Sequence, residues 1–207
     1  MKRKKLPIPL ILLVPIVLLL IVVVAGVYRF SLTDEEILAK FPSHHVESDE
    51  VVNEILGLST PNPWTLQVPD TSAFSLLTDI DPMKQVASGR YDNGMERGHV
   101  YLLYQFKQEQ TEKGVLSQVV VPFAVSNQGS GVFYYLGLFD WDKARQRIIL
   151  VDSAWLGDRV QVSQVDWEQS VIVRFKQHNA AQSMNEDPQD EVSLTCDISK
   201  TNQLKCQ

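Results

Sequence analysis

The sequence predicts a mainly β protein of the α+β class: an N-terminal transmembrane helix, short helices, then a twisted antiparallel sheet of about seven or eight strands. Three observations predict it. Residues 6–27 carry no charged side chain, residues 33–57 hold helix start and stop signals, and from His99 onward short apolar or alternating runs are separated by turn residues.

The first element is LPIPLILLVPIVLLLIVVVAGV, Leu6 to Val27. At 1.5 Å per residue it spans about 33 Å, enough for a bilayer's hydrocarbon core. Lys2, Arg3, Lys4 and Lys5 precede it, and a cationic flank stays on the cytoplasmic side. Residues 1–5 therefore read as a cytoplasmic basic tail, residues 6–27 as the anchor, and the rest as exported. That places the chain as a single-pass protein of a bacterial inner membrane with a periplasmic C-terminal part. Pro7 and Pro9 fit a first helical turn, and Pro15 is tolerated in a lipid-spanning helix. A cleaved signal peptide is the competing reading, because Val23 and Ala25 have the small-residue spacing a signal peptidase accepts before Gly26. An apolar run of about 20 residues exceeds the ~7 to 15 of a signal core, which favours a retained anchor.

Beyond the anchor lie all 25 acidic residues and, once the four of the tail are subtracted from 19, 15 basic ones, a formal charge of −10. Such a surface repels phosphate backbones and anionic headgroups, so nucleic acid is excluded as a partner. The size left after the anchor suits one domain with its own core.

Residues 28–62 read as short helices and linker. Thr33-Asp34-Glu35-Glu36 is a capping box ahead of Ile37 and Leu38, and that helix must stop at Phe41-Pro42. Ser48-Asp49-Glu50 opens a second helix, with Val51, Val52, Ile55 and Leu56 at helical spacing and Gly57 as its end. Both read as a lid or brace. His44-His45 lacks the three or four ligands of a zinc site, so no metal is expected. Pro61-Asn62-Pro63-Trp64 is a rigid connector, and residues 58–98 show only brief apolar runs. Tyr91-Asp92-Asn93-Gly94 is a tight turn. Asp92, Asn93 and Glu96 lack the ligand spacing of a calcium loop.

The β-rich domain, residues 63–207, declares itself in eight runs: 99–107, 118–125, 132–139, 147–151, 159–165, 171–177, 191–198 and 203–206. No helix-sized crossover separates them, which predicts antiparallel pairing in a sheet that is curled or doubled. Gly129-Ser130-Gly131 precedes Val132, Phe133, Tyr134 and Tyr135, strand formers rather than a helix N-terminus, so it reads as a hairpin bend with glycine supplying positive φ and not as a phosphate loop. Alternation puts Phe133 and Tyr135 on one face and Tyr134 and Leu136 on the other, as in a central strand. Tyr134 and Tyr135 are candidates to line a groove for sugar or peptide.

GSGVFYYLGL at 129–138, LGDRVQV at 156–162 and Met184-Asn185-Glu186-Asp187-Pro188 together resemble a domain of uncharacterised bacterial exported proteins and lipoproteins, in which a GSG-x-FYYL run precedes LGDR and a later M-x-x-x-P. The likeness covers roughly residues 85–205 and implies an exported location and this fold, with no activity attached. Where such chains have an Asp-Gly-rich segment, this one has YDNGMERGHV.

Asp158 and Arg159 are the most suggestive charged pair: either they bind a polar ligand together, or, as adjacent strand residues pointing to opposite faces, Asp158 caps the turn while Arg159 pairs elsewhere. No H-E-x-x-H, G-x-S-x-G or P-loop is present, and no catalytic residue or cofactor is assigned. Asp140, Asp142, Asp152 and Asp166, with Trp141, Trp155 and Trp167 close in sequence, are the material for a glycosidase pair. The expectation is a non-enzymatic domain binding another envelope protein or glycan. The alternatives are a periplasmic hydrolase using a carboxylate pair and a module with a closed apolar pocket for a small ligand.

The last two runs predict a disulfide between Cys196 and Cys206. With Lys200-Thr201-Asn202 as a three-residue loop and Asn202 left-handed, the facing pairs are Ser199/Gln203, Ile198/Leu204 and Cys196/Cys206. Facing Cα atoms at about 4.5 to 5.5 Å can be bridged in an oxidising compartment.

Overall fold

The computed structural model describes residues 10–31 and 48–207. Two compact units divide the chain, residues 1–46 and 47–207. In the first, α1 (Leu10–Ser31) is a 22-residue helix that continues through Pro15. Among the described residues no helix is long and apolar enough to cross a membrane. The expected span starts at Leu6, outside the described residues, as do Lys2 to Lys5, the Thr33 capping box and His44-His45.

The second unit is built from one helix and twelve strands. In chain order these are α2 (Glu50–Leu56), β1 (Thr65–Gln67), β2 (Phe74–Asp81), β3 (Val86–Asp92), β4 (Arg97–Leu102), β5 (Gln108–Glu112), β6 (Val115–Ser126), β7 (Val132–Asp142), β8 (Arg147–Asp158), β9 (Gln161–Trp167), β10 (Val171–Gln177), β11 (Asp190–Ile198) and β12 (Leu204–Cys206). Each of the eight runs read from the sequence contains a strand, although the first, 99–107, leaves its strand after Leu102, and the mainly β, largely antiparallel expectation holds.

The expected sheet of seven or eight strands is instead a barrel plus a second sheet. β4 pairs with β3 on one side and β6 on the other, and β1 meets β8, so β1-β2-β3-β4-β6-β7-β8 forms a closed ring. The β1–β8 contact is parallel, Thr65 opposite Ile149, which corrects the expectation of antiparallel pairing throughout. Closure removes the free edges an open sheet would present. β5 extends the ring along the first half of β6, whose second half pairs with β4. Pro122 sits where that partnership changes over: its carbonyl accepts from Leu103 N at 3.0 Å, and a 3-10 turn at Tyr104–Phe106 interrupts the neighbouring strand. A residue with no N–H is accommodated there because no ladder donor is required of it.

β6 and β7 separate two cores. Val119, Val121, Phe123 and Val125 of β6 and Tyr135 and Phe139 of β7 face the barrel interior. Val120, Leu136 and Leu138 face outward, under the four-stranded sheet β12-β11-β10-β9. There they meet Val162, Val165, Val171, Val173, Phe175 and Cys196. A bulge opposite Arg174 and Phe175 brings Val162 and Val165, three apart in sequence, onto one face.

The helix α2 forms where the sequence places it. Asp49 caps it by accepting from Val52 N at 2.9 Å, and Gly57 ends it at φ +64°. Its role as a lid or brace is corrected: Val51, Val52 and Ile55 are buried in the barrel core. Each such side chain contributes roughly 1.5–3 kcal/mol of burial, and Lys107 Nζ donates to the Ile55 carbonyl. The following connector is latched to the β7–β8 hairpin, with Thr60 Oγ1 donating to Gln146 O at 2.5 Å and Asn62 Nδ2 to Arg145 O at 2.9 Å.

The C-terminal hairpin has the predicted register, with Cys196 opposite Cys206 and Ile198 opposite Leu204. Ser199 N donates to Gln203 O at 2.9 Å, Asn202 is left-handed at φ +54°, and Cys196 and Cys206 are joined by a disulfide.

Candidate functional site

Three connections meet at one mouth of the barrel. The loop from Val68 to Ala73 closes on itself through Val68 N to Ala73 O at 2.9 Å, with Thr71 Oγ1 donating to Val68 O and accepting from Ala73 N. This holds Asp70 at φ +60°. The β3–β4 turn is made by Asp92 and Asn93: Asp92 Oδ1 accepts from Gly94 N, Asn93 Oδ1 accepts from Glu96 N, and Gly94 has φ +85°. It is the tight turn read from the sequence. The third connection, Asn127 to Gly131, joins β6 to β7 as the expected bend.

In that bend the reason for glycine differs from the expectation. Neither Gly129 nor Gly131 lies in the positive-φ region. A Cβ on Gly131 would stand 2.6 Å from the Phe133 ring, so glycine there lets an aromatic ring lie against the backbone.

Between the connections lies a cavity of about 320 Å³ lined by Asp70, Tyr91, Glu96, Phe133, Tyr135 and Trp155, among others. The rings come from three strands. Tyr135 faces Trp155 directly across β7 and β8, and their rings meet edge to face at 5.2 Å, with Phe133 at 5.7 Å from Trp155. Such pairs rigidify an aromatic wall. Trp155 is nevertheless 53% exposed, a large ring facing solvent on an ordered support.

Glu96 organises the polar part of the lining. Glu96 Oε1 accepts from Asn127 Nδ2 at 2.9 Å and, at 3.4 Å, from the Tyr91 hydroxyl. Burial, then the Glu96 charge, pushes the Tyr91 phenol up to about 12. Burial also raises Tyr135, helped by the charges of Asp70 and Glu96. In each case the phenolate is disfavoured first by lost hydration and then by a neighbouring negative charge.

Of the residues singled out in the sequence, only Tyr135 reaches this mouth among the two tyrosines. Tyr134 points to the other side of β7 and packs on the second core, where burial raises its phenol. Asp158 and Arg159 fasten the Asn127–Gly131 loop: Asp158 Oδ1 accepts from Val132 N at 2.9 Å, Arg159 N donates to Val132 O at 2.7 Å, and the guanidinium donates to Ser130 O. Asp158 thus holds the turn as expected, whereas Arg159 does not pair elsewhere but fastens the same loop, because at φ +50° it has left the alternation of the strand.

The four dispersed aspartates are engaged in the scaffold. Asp140 accepts from Gln118 and Asn202, Asp152 from Leu204 N, Asp142 pairs with Arg145, and Asp166 with Arg174. Asp140 and Asp152 thereby tie the disulfide hairpin to the barrel wall. Trp141 packs on the barrel core and Trp167 on the second core. Among the described residues no group of three or more His, Cys, Asp or Glu side chains is placed to hold a metal ion.

Sequence reasoning missed Asp70, Tyr91, Glu96 and Asn127 as members of one site. Each sits in or beside a turn where such residues are common for local reasons. No family model, curated protein or solved structure matches this chain, so the mouth is interpreted from its own geometry.

Proposed function

We propose that the chain is a membrane-tethered, exported binding domain of the bacterial envelope, not an enzyme, that engages another envelope component through the open mouth of its barrel. The observation that carries this reading is Trp155, half exposed on a wall of Phe133 and Tyr135 at a cavity rimmed by two carboxylates. A ring left in water on a rigid support is a ready contact for a partner.

Tethering is supported by α1, in which Val14, Leu18, Leu19, Val22, Val24 and Val27 are all more than half exposed. An apolar surface of that kind all round one helix suits lipid. With the Lys2–Lys5 flank, it favours a single-pass inner-membrane protein with its N-terminus in the cytoplasm. The Cys196–Cys206 disulfide suits an oxidising periplasm.

The test is affinity capture from an envelope extract with the full chain in detergent, alongside Trp155→Ala. A specific partner retained by the parent and lost by the variant supports the mouth as the binding surface; equal capture by both overturns it. A hydrolase acting on glycan or peptide is the second reading, favoured by one observation: Asp70 and Glu96 line the same aromatic mouth. Cleavage of glycan or peptide fragments that disappears in both Asp70→Asn and Glu96→Gln would establish that reading.

A further inference from the structure

We propose that the barrel mouth is a receptor for an organic ammonium group, seated against Trp155 and Tyr135 and neutralised by Asp70 and Glu96. The inference deepens the binding reading above and rests on it. Its first support is charge. The lining of the cavity includes two carboxylates and no lysine, arginine or histidine. Among the described residues neither Asp70 nor Glu96 takes part in an ion pair, while the scaffold aspartates 81, 142, 158 and 166 all do. Arg159, in contact with the adjoining loop, is directed to Ser130 O and to Asp158.

The second support is hydrogen-bond accounting. Asn127 is engaged at both ends of its amide, donating to Glu96 and accepting from Gly129 N. Thr71 likewise donates to Val68 O and accepts from Ala73 N. Tyr91 directs its hydroxyl at Glu96. The charged groups remaining at the mouth are acceptors only. An ammonium brings N–H or polarised C–H groups and the positive charge that two unpaired carboxylates call for, whereas a neutral saccharide brings no charge to offset them.

The third support is the aromatic wall. Cations are attracted to the faces of Trp and Tyr rings, more strongly when water is excluded. The Trp155 ring lies 5.7 Å from that of Phe133 and 5.2 Å from that of Tyr135, and the cavity of about 320 Å³ admits a small alkylammonium head. A formal charge of −10 beyond the anchor raises the local concentration of cations around the domain.

The experiment is calorimetric titration of the full chain, held in a polyoxyethylene detergent, with tetramethylammonium chloride and with butylammonium chloride. The first represents a choline-like head and the second a lysine-like one; the tighter of the two names the source. Sodium chloride and a neutral N-acetylglucosamine disaccharide are the comparison ligands. Saturable binding of an ammonium is expected, weakened about 5- to 30-fold by Trp155→Ala, weakened severalfold by each of Asp70→Asn and Glu96→Gln, and reduced by added salt. Asp70→Asn guards against misfolding as a cause, because asparagine accepts a left-handed backbone at least as readily as aspartate. Absence of ammonium binding, or binding indifferent to both carboxylate changes, overturns the proposal. If the disaccharide binds instead and Trp155→Ala abolishes it, the ammonium assignment falls while the mouth remains a binding site. If Trp155→Ala leaves envelope capture intact as well, both readings fall.

Discussion

Single side chains in this protein are constrained chiefly by close approach. A Cβ added at Gly98 would overlap the Ser126 carbonyl and crowd the Tyr91 ring, at the β4–β6 pairing that closes the barrel. Gly98→Ala should therefore destabilise by about 1–3 kcal/mol, the usual cost of overpacking, seen as a lowered thermal midpoint; an unchanged midpoint would show that the closure yields easily. Tyr91 makes a second prediction, in pH. Its phenol is raised from the ordinary 10 to about 12 by burial and by Glu96, so the neutral form is favoured in the fold. That contribution is complete below pH 10 and is lost as pH rises from about 10 to 12, where the unfolded chain ionises first. Thermal midpoints measured across that interval should fall in the parent and fall less steeply in Tyr91→Phe. A slope unchanged by the substitution would place the alkaline sensitivity elsewhere.

Among elements, the C-terminal hairpin and α2 show how much short pieces depend on what they touch. β12 has three residues, too few to persist as an unsupported edge. It is held by the disulfide across a separation of 10 residues, by Asp152 on Leu204 N at 2.7 Å and by Asp140 on Asn202 at 2.8 Å. Reduction should cost about 2 to 3 kcal/mol on the chain-entropy account. Thiol labelling of chain extracted without reductant should find no accessible cysteine; two labelled thiols would refute the bridge. The hairpin was legible in advance because its register follows from local rules: a three-residue loop, a left-handed Asn202 and alternation within a few residues. α2 was legible as a helix through Asp49 and Gly57, but its burial was not. Val51, Val52 and Ile55 make the same amphipathic stripe whether a helix braces a surface or fills a core.

For the chain taken as one, the proposed anchoring through the apolar N-terminal run makes a direct prediction. Fractionation should leave the intact protein in the inner membrane after carbonate washing, and a soluble product beginning near Gly26 would show cleavage instead. Deleting Lys2 to Lys5 should impair orientation.

The mainly β class, the eight strands from β4 onward other than β5, the α2 caps and the Cys196–Cys206 pairing are all readable in the order of the amino acids. Each is encoded within a dozen residues, by period-two patterning, capping chemistry or loop geometry. β1, β2 and β3 are harder to read, because their inward positions mix Leu66, Leu77 and Tyr91 with the small residues Ser75, Ala87 and Gly89. Gly89 has no room for a Cβ beside Leu76 O and Ser75 Oγ, so tight packing itself weakens the hydrophobic signal. That the strands close into a ring, through Thr65 opposite Ile149 and Leu102 opposite Phe123, follows from long-range packing alone. Closure depends on twist accumulated over many strands, which no local pattern records. The same closure brings Asp70, Glu96, Asn127 and Trp155 to one mouth. Turn chemistry explains the first three locally, and their shared surface exists only once the ring has closed.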